Sequence, residues 1–382
     1  MKKIALIGST GSIGVQVLNV VRRNPEKFKI VSLACGKNVE LFSKQVKEFS
    51  PLIATAAESS DDLSELMKSE KFTEFFIGEN AYIEAITEEA DLVVVSLVGF
   101  SGLSAVLKAI EKGKNIALAN KESLVVGGEI VTRLAKEKGV SVYPIDSEHS
   151  AVWQALDFDF NKPFNKIILT ASGGAFRDKT KEQLKTVTVA DALKHPNWNM
   201  GAKITIDCAT LVNKAFEVIE AKWLFNADFD SIDVIIHRES VIHSMVEYKD
   251  GAVIAQLGVP SMELPIQIAI SYPERLSSGV KFLNFAEIGK LSFETPDYDR
   301  FPCFNTVKEA GIKGGAYPAV ACGANDTAVK AFMQGKIKYG DIYKSIRGAL
   351  EKFGGVYDGS YDSLRSAHDF AAEYVKNMFG VK

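Results

Sequence analysis

Apolar and polar positions in the first part of the chain predict short strands that alternate with helices. Apolar runs at residues 3–7, 30–34, 52–55, 75–77, 92–97, 116–119 and 140–143 predict strands, and several of the stretches between them carry helical spacing. Strands that alternate with helices in this way form a mostly parallel, doubly wound sheet. Ligands of such sheets bind at the carboxyl ends of the strands.

The pattern changes after residue 148, where the connections become longer. Strands are predicted at residues 167–170, 234–237, 244–248 and 253–257, and the Lys249-Asp250-Gly251 turn joins the last two as an antiparallel pair. One amphipathic helix is predicted at residues 207–225. Residues 272–300 are rich in proline and glycine with little periodicity, which indicates a linker, and residues 301–382 favour helices.

A glycine-rich segment lies between the first predicted strand and the first predicted helix. Residues 8–14 read G-S-T-G-S-I-G, so backbone amides and a helix N-terminus are available to a pyrophosphate. The spacing departs from the commoner G-x-G-x-x-G, and a plain tight turn is the alternative, but its position favours dinucleotide binding. The fold class is therefore α/β, with a Rossmann-like sheet at residues 1–146, a central α+β domain at residues 147–271, a linker at residues 272–300 and a helical bundle at residues 301–382.

The second predicted strand ends in Cys35-Gly36-Lys37-Asn38. A domain that binds NAD usually places an acidic residue here against the ribose hydroxyls, whereas a basic residue suits a 2′-phosphate. The sequence therefore predicts NADPH, with Lys37 as a candidate phosphate contact. A solvated surface lysine is the alternative.

Composition and charge exclude several classes of partner. Forty-five basic and forty-eight acidic residues give a formal net charge of -3, so no global field favours nucleic acid or an anionic membrane. No apolar run approaches the roughly 20 residues needed to span a bilayer, and the N-terminal apolar run is too short for a signal peptide. The four cysteines form no C-x-x-C pair, which is typical of a protein in the reducing cytoplasm.

Two carboxylates at the junction of the two patterns suggest a metal site. Asp146 and Glu148 lie two residues apart, and in extended backbone both would project to one side and share a cation. Oxygen ligands without cysteine favour Mg²⁺ or Mn²⁺ over zinc. Glu217 is the third candidate, because helical spacing places Asn213 and Lys214 on its face. There are two alternatives: Asp146 and Glu148 are a solvated pair of carboxylates, and Glu217 forms a surface ion pair with Lys214.

Other residues suggest a site for an anionic substrate. Ser172 lies in a small-residue turn, A-S-G-G, and with Asn213 and Lys214 would supply hydroxyl, amide and ammonium donors to a phosphate. His195 is a candidate for anion binding or proton transfer, with a structural role as the alternative. Trp198 and Met200 suggest a lid, or else a core anchor. No nucleophile motif occurs, so covalent catalysis is not predicted.

Six motifs occur in one order: G-S-T-G-S-I-G at residues 8–14, A-N-K-E-S-L at 119–124, D-S-E-H at 146–149, S-G-G at 172–174, H-P-N-W-N-M-G at 195–201 and N-K-A-F-E at 213–217. The chain resembles the 1-deoxy-D-xylulose 5-phosphate reductoisomerase family along essentially its whole length. The resemblance implies a homodimer with a dinucleotide domain, a catalytic domain and a C-terminal helical domain.

The resemblance also implies roles for individual residues. The implied metal ligands and catalytic residues are Asp146, Glu148 and Glu217, with Lys121 as a further catalytic residue that also contacts the sugar. The implied substrate contacts are Ser147, Ser172, His195, Trp198, Cys208, Asn213, Lys214, Ser240 and Met262, with Trp198 and Met200 in a closing flap. The implied cofactor contacts are Thr10, Gly11, Ser12, Ile13, Gly36, Lys37, Asn38, Asn120, Glu122 and Gly201.

The implied reaction rearranges 1-deoxy-D-xylulose 5-phosphate and reduces the product with NADPH to 2-C-methyl-D-erythritol 4-phosphate, a step of isoprenoid precursor biosynthesis by the non-mevalonate route. Two alternatives are a metal-independent NADP reductase of a semialdehyde and a non-catalytic NADPH-binding sensor. Two positions depart from the family pattern. Cys208 stands where a serine that contacts phosphate is usual, and Asn325-Asp326 stands where an Asn-Glu pair is common, for which only a structural effect is expected.

Overall fold

The computed structural model describes residues 1–198 and 200–381. The chain forms two compact units, each built from separate segments. The first unit consists of Met1–Asn120, Val131–Ser150 and Met262–Val280, and the second of Lys121–Ile130, Ala151–Ser261 and Lys281–Lys382. The boundaries predicted at residues 146, 271 and 300 do not coincide with those of the two units, and the predicted division into domains stays a prediction.

Eleven strands occur in the part of the chain that the structure describes. They are β1 Lys2–Ile7, β2 Phe28–Cys35, β3 Ile53–Ala56, β4 Glu74–Ile77, β5 Leu92–Val95, β6 Asn115–Leu118, β7 Val142–Pro144, β8 Lys166–Ala171, β9 Ile232–Ile236, β10 Ile242–Glu247 and β11 Val253–Leu257. Every strand predicted from the hydrophobic pattern is present, with ends that differ by at most two residues, as is usual at strand termini.

Fifteen α-helices accompany these strands within the same described ranges. They are α1 Ser12–Arg23, α2 Val39–Phe49, α3 Asp61–Ser69, α4 Ser101–Glu111, α5 Glu122–Lys138, α6 Ser147–Ala155, α7 Val189–Ala192, α8 Ala202–Thr210, α9 Val212–Leu224, α10 Glu263–Ser271, α11 Phe285–Ile288, α12 Cys303–Lys313, α13 Tyr317–Met333, α14 Tyr339–Lys352 and α15 Tyr361–Phe379. The last four form the predicted C-terminal helical region. Among the described residues, no helix combines the length and the apolar character needed to cross a membrane.

The first unit is organised around a seven-stranded parallel sheet in the order β4-β3-β2-β1-β5-β6-β7. This arrangement confirms the predicted doubly wound sheet. The strand order reverses between β1 and β5, and the connections that follow these two strands diverge there, which opens a crevice for a ligand at their carboxyl ends. The core contains Ile4 and Leu6 of β1 and Val94 of β5, and α10 adds Ile266 and Ile270.

The second unit contains a mixed four-stranded sheet in the order β11-β10-β8-β9. The β10 and β11 strands pair antiparallel through the predicted turn, β10 also pairs antiparallel with β8, and β8 pairs parallel with β9. The α+β pattern predicted for this region is therefore confirmed.

The helix predicted at residues 207–225 is wrong in its bounds and in its pattern of burial. Two helices, α8 and α9, occupy this region, and Leu211 between them has a left-handed backbone with φ 60. An apolar side chain gives little warning of this conformation, which bulky residues rarely adopt. All residues from Val212 to Ala221 of α9 are buried, including Lys214 and Glu217. The helix is therefore an interior element without a solvated face over these ten residues, which contradicts the predicted amphipathic helix and the alternative of a surface ion pair.

Candidate active site

The glycine-rich loop of the first unit connects β1 to α1. Gly8 has a positive φ of +95, and a Cβ atom there would lie 2.8 Å from the carbonyl oxygen of Ser96. A Cβ atom on Gly14 would lie 2.2 Å from the carbonyl oxygen of Gly8. Both positions therefore require glycine, and the helix can begin directly against the loop. Gly11 caps α1 and has no side-chain oxygen to accept from the first amides of the helix, so these N–H groups suit an external anion.

The predicted cofactor residues of the first unit follow the carboxyl ends of its strands. The loop after β1 and the first turn of α1 contain Thr10, Gly11, Ser12 and Ile13. After β2, Gly36 precedes Lys37, which is exposed and lies 2.7 Å from Glu58, and Asn38, whose side chain accepts a hydrogen bond from the Leu41 amide at the start of α2. The buried Asn120 follows β6 and donates to the carbonyl oxygens of Leu97 and Gly99.

Lys37 forms a surface ion pair in this structure, which is the arrangement expected from the alternative interpretation. Glu58 raises the pKa of the Lys37 ammonium through a hydrogen bond. Both side chains are largely solvated, and such pairs contribute little free energy, so the ammonium can exchange Glu58 for another anion at small cost. The role of Lys37 in phosphate binding stays a prediction.

Asp146 and Glu148 do not lie in extended backbone, and this prediction is wrong. Ser147 begins α6, and the Asp146 carboxylate accepts from the backbone amides of Glu148 and His149. Asp146 therefore acts as a helix cap. The buried His149 ring also contacts Asp146, with Nδ1 and Oδ1 2.9 Å apart. A carboxylate oxygen of Asp146 and one of Glu148 nevertheless lie within 4.8 Å of each other, so the start of the helix also brings the two carboxylates together.

Ser147 lies between these two carboxylates and also begins the helix. Its hydroxyl donates a hydrogen bond to the Glu148 carboxylate. Ser147, Glu148 and Asp146 are all partly buried, so the carboxylates keep enough exposure to meet a ligand. The first turn of α6 is thus an oxygen-rich surface on the first unit.

Three donors converge on Glu217 in the interior of the second unit. The Lys121 ammonium lies 3.0 Å from one carboxylate oxygen, the Asn213 amide donates to the same oxygen, and the Lys214 ammonium donates to the other. Glu217 is 1 % exposed. A buried carboxylate is stable only with such partners, because the loss of its hydration must be offset. The predicted catalytic residues Lys121 and Glu217 therefore lie in direct contact.

Cys208 lies near this cluster on α8. The structure leaves the residue half-buried, and its pKa is raised, chiefly by burial and next by the negative charge of Glu217. The side chain is therefore a neutral thiol at physiological pH. A thiol is a weaker hydrogen-bond donor than a hydroxyl.

If the substrate is the sugar phosphate that the resemblance implies, replacing Cys208 with serine is expected to lower the Michaelis constant for it and to leave turnover similar. The serine hydroxyl is a stronger donor to phosphate oxygens than the thiol is, and the phosphate does not take part in the bond changes. Steady-state kinetics of the two proteins test this expectation, and a raised Michaelis constant in Cys208→Ser would contradict it.

Ser172 and His195 form a second group of polar residues in the same unit. His195 Nδ1 accepts from the backbone amides of Asn197 and Trp198 at 3.3 and 3.0 Å. The ring proton of the neutral histidine must then lie on Nε2, which donates to the Ser172 hydroxyl at 2.9 Å. The Gly174 amide donates to the same hydroxyl at 3.2 Å. With both lone pairs of the oxygen engaged, the Ser172 hydroxyl proton is directed towards a further acceptor, as phosphate binding requires.

Burial and the positive charge of Arg177 lower the pKa of His195 to about 4. The imidazole is therefore neutral at physiological pH and suits a fixed hydrogen-bonding role better than a standing positive charge. The neutral imidazole favours a structural role for His195, in which it orients Ser172, over anion binding or proton transfer.

The lowered pKa of His195 predicts a specific pH dependence of stability. The unfolded chain binds this proton near pH 6.5 and the folded chain only near pH 4, so the unfolded state holds more protons between these values. The free energy of unfolding is expected to fall as the pH decreases from 6.5 to 4, and to fall less steeply in His195→Asn. Urea titrations at several pH values measure both slopes. Equal slopes in the two proteins would contradict the prediction.

The predicted flap residues lie beside this group. The Trp198 and His243 rings have centroids 5.9 Å apart, and both Trp198 and Met200 are half-buried. Asn199 of the H-P-N-W-N-M-G motif lies outside the described residues. The Asn197 side chain donates to the Ser240 hydroxyl at 2.6 Å and to the Arg238 carbonyl at 2.7 Å, so Ser240 contacts the motif directly.

The last predicted residues lie at the ends of helices. Glu122 begins α5, and Gly201 caps α8. Met262, at the start of α10, packs against the hydrophobic core of the first unit.

The sequence interpretation missed several residues that organise these groups. Asn197 holds the start of the flap motif, and Arg177 donates to the Ser172 carbonyl oxygen at 2.9 Å. Lys203 was also missed, although its spacing of four residues from Asp207 is a recognisable signal for an ion pair on a helix. A charged pair within an otherwise apolar helix indicates that the two side chains contact each other away from solvent.

Comparisons with known proteins identify one family. The model described as 1-deoxy-D-xylulose 5-phosphate reductoisomerase matches residues 4–128, and two models of the C-terminal domain of the same enzyme match residues 142–225 and 257–374. A 1-deoxy-D-xylulose 5-phosphate reductoisomerase of Geobacillus sp. (strain WCH70) is 48% identical over 382 residues, which covers 99% of this chain and 100% of the relative. A homologue of the same name from Chloroherpeton thalassium is 48% identical and covers 95% of each chain.

Solved structures give the same result. A DOX-P reductoisomerase in complex with NADPH, fosmidomycin and magnesium superimposes with a TM-score of 0.93 at 36% identity and covers 100% of both chains. The enzyme of Zymomonas mobilis in complex with NADPH has a TM-score of 0.92 at 36% identity and covers 99% of both chains. The similarity extends over the whole chain in sequence and in fold.

Proposed function

The chain belongs to the 1-deoxy-D-xylulose 5-phosphate reductoisomerase family, and from this premise we propose that its own carboxylates, lysines and Ser172–His195 pair carry out the family's reaction. The enzyme converts 1-deoxy-D-xylulose 5-phosphate to 2-C-methyl-D-erythritol 4-phosphate with NADPH and a divalent metal, in isoprenoid precursor biosynthesis. The observation that carries the assignment of residues is the buried contact of Glu217 with Lys121, Asn213 and Lys214.

Asp146, Glu148 and Glu217 are the proposed ligands of the divalent metal. Two of them offer carboxylate oxygens within 4.8 Å of each other at the start of α6, and all three offer only oxygen, the ligand that Mg²⁺ and Mn²⁺ prefer. The residues therefore fit such an ion. When bound, the metal supplies Lewis acidity and a template for the substrate's carbonyl and hydroxyl oxygens.

Lys121 and the residues around Ser172 are proposed to act on the substrate directly. The Lys121 ammonium is held by Glu217 and is placed to stabilise a developing alkoxide or to transfer a proton. Ser172 directs its hydroxyl proton to the phosphate, because His195 and Gly174 occupy its lone pairs. Asn213, Lys214 and Cys208 are the further proposed phosphate donors, with Ser147, Ser240 and Met262 as additional contacts. Trp198 and Met200 would exclude water from the reacting groups.

The crevice after β1 is the proposed site of NADPH. The residues fit the cofactor, since Gly8 and Gly14 bring the loop backbone against α1 and the first amides of that helix have no side-chain cap. NADPH supplies the hydride when bound. Thr10, Gly11, Ser12 and Ile13 would contact the pyrophosphate, and Lys37 the 2′-phosphate. Gly36, Asn38, Asn120, Glu122 and Gly201 are the remaining proposed contacts.

One assay tests this assignment. NADPH oxidation is followed by its absorbance with 1-deoxy-D-xylulose 5-phosphate, with magnesium, with EDTA, and with magnesium restored after EDTA. We expect turnover that EDTA abolishes and magnesium restores. Turnover that resists EDTA would contradict the proposed role of the metal. Such resistance is expected of a metal-independent reductase of a semialdehyde. NADPH binding without turnover would indicate a sensor.

We also propose that the protein is a homodimer. The β11 strand lies at one edge of the mixed sheet, and its Val253 and Ile254 are 49% and 47% exposed. An edge strand with exposed apolar side chains is a surface that another chain can cover. One chain has a mass of 41.7 kDa. Light scattering coupled to size-exclusion chromatography should give twice this mass. A mass of one chain at micromolar concentration would contradict the proposal.

A cytoplasmic location without nucleic-acid partners is proposed on chemical grounds. Cys35, Cys208, Cys303 and Cys322 are all free thiols, as expected in a reducing compartment. The formal net charge of -3 offers no general attraction to nucleic acid.

A further inference from the structure

Lys203 lies at the centre of a partly buried ionic cluster and has no assigned role in the proposed reaction. Its ammonium lies 2.7 Å from Asp207, 3.1 Å from Glu122 and 3.1 Å from Asp326. It also lies 5.6 Å from the centre of the Phe216 ring. One side chain of α8 thus contacts residues of α5, α9 and α13.

The partners of Lys203 are neighbours in sequence of proposed active-site residues. Glu122 follows Lys121, Asp207 precedes Cys208, and Phe216 precedes Glu217. Because consecutive residues share a peptide unit, a partner that is fixed in place restricts its neighbour as well. We infer that Lys203 is a positioning residue that fixes Lys121, Cys208 and Glu217 through their neighbours. The inference rests on the proposed function, because it assigns a purpose to these three residues.

The cluster also connects the site to the C-terminal helices of the same unit. Both oxygens of Asp207 are engaged, one by Lys203 and the other by the Asn325 amide at 2.9 Å. Asp326, the next residue of α13, contacts Lys203 through one oxygen and lies 3.7 Å from His368 of α15 through the other. The helical region therefore holds Lys203 and Asp207 in place, through the contacts that Asn325 and Asp326 make with them.

Charge is the reason why we expect that an apolar group will not replace the Lys203 ammonium. Burial alone would lower the pKa of Lys203, but Asp207, Asp326 and Glu122 outweigh burial and hold the pKa well above its usual value. The ammonium is therefore charged at physiological pH. Three carboxylates face it, and without it they would repel one another and move apart.

The same charge argues against a second metal site in the helical region. Cys322, Asp326 and His368 offer possible ligand atoms within 4.8 Å of one another. The Lys203 ammonium already contacts the Asp326 carboxylate and supplies the positive charge that a cation would bring. Burial also holds the pKa of the Cys322 thiol well above its usual value, so it remains protonated.

The test compares Lys203→Met, which removes the charge, with Lys203→Arg, which keeps it. Folding is checked by circular dichroism, and kcat and KM are expressed per folded site. We expect kcat in Lys203→Met to fall roughly 10- to 100-fold, the magnitude typical of residues that orient a catalytic group through another residue, and Lys203→Arg to recover part of the loss. Lys185→Met removes an exposed lysine paired with Glu182 and should leave both constants unchanged.

A purely structural role gives a different result. It lowers the thermal midpoint of Lys203→Met but leaves kcat and KM of the folded enzyme within about twofold of the wild type, and this outcome overturns the inference. If Lys203→Met does not fold, Asp326→Asn replaces it as the test, because it loosens one anchor of the ammonium. A lowered kcat in folded Asp326→Asn supports the inference, and unchanged constants overturn it.

Binding measurements separate this inference from the proposed function. Mn²⁺ affinity is measured by electron paramagnetic resonance, which requires no turnover. Weaker Mn²⁺ binding in folded Lys203→Met supports the positioning of Glu217, and unchanged Mn²⁺ binding together with unchanged kinetics overturns it. Absence of turnover in the wild type with 1-deoxy-D-xylulose 5-phosphate would instead contradict the proposed function.

Discussion

Replacing Glu217 with glutamine is expected to lower kcat by roughly 100- to 1000-fold, the range typical when one electrostatic contribution to a transition state is lost. The substitution keeps the size of the side chain but removes the negative charge that Lys121 and Lys214 contact. It also removes a carboxylate proposed to hold the metal. Both losses affect the reacting groups, so the effect should appear in kcat rather than only in KM.

The measurement is NADPH oxidation with saturating magnesium and substrate, together with Mn²⁺ binding by electron paramagnetic resonance. Glu182→Gln is the matched control, because it makes the same chemical change at an exposed glutamate paired with Lys185. Circular dichroism establishes that Glu217→Gln is folded. Folded Glu217→Gln with the kcat and the Mn²⁺ affinity of the wild type would show that this carboxylate is not a metal ligand.

The parallel sheet could be predicted from sequence because its signal is local. Each central strand is buried on both faces and is therefore a short apolar run, as in the four buried residues of β5. The glycine loop could be predicted in part for the same reason, since Gly14 is fixed by contacts within one strand–loop–helix unit, whereas Gly8 is fixed by its positive φ and by Ser96, which follows β5. The loop also lies where the strand order reverses, which the structure showed and the pattern of alternating elements did not specify.

Backbone features that depend on tertiary packing could not be predicted. Leu211 takes a left-handed conformation that its side chain disfavours, and the buried helices on either side of it hold that conformation. Asp146 caps α6, and the apolar and polar residues of this helix do not separate clearly onto two faces. The sequence after Asp146 was therefore interpreted as extended chain. Aspartate is nevertheless a favoured cap, and that local signal was present.

Some features of the candidate site could likewise be predicted from sequence and others could not. Motif order and resemblance identified Lys121 and Glu217, although 96 residues separate them and no spacing rule relates such positions. Resemblance could not reveal the hydrogen bonds that direct the Ser172 proton, because these depend on which nitrogen of His195 faces the Asn197 and Trp198 amides. The full cluster around Lys203 was hidden because its three carboxylates come from three separate helices, α5, α8 and α13, and only the Lys203–Asp207 pair had a local signal.

The Gly14→Ala substitution is expected to destabilise the protein by about 3 kcal/mol or more, as overpacking against rigid neighbours does, and to abolish NADPH binding. Its Cβ atom would lie 2.2 Å from the Gly8 carbonyl oxygen and 2.7 Å from backbone atoms of Ser9. These are main-chain atoms, which cannot turn aside as a side chain does. Relief requires α1 to move away from the loop, and this movement separates the helix amides from the pyrophosphate position.

Gly11→Ala provides the matched control for stability within the same loop. Its Cβ atom would meet only the Gly8 carbonyl oxygen at 3.4 Å, an ordinary contact, and its φ of -74 suits alanine. Urea unfolding should therefore place Gly11→Ala within about 1 kcal/mol of the wild type, because a glycine-to-alanine change at a compatible position has small effects. Fluorescence titration measures NADPH binding in Gly14→Ala. Wild-type stability and affinity in Gly14→Ala would mean that the helix does not begin against the loop.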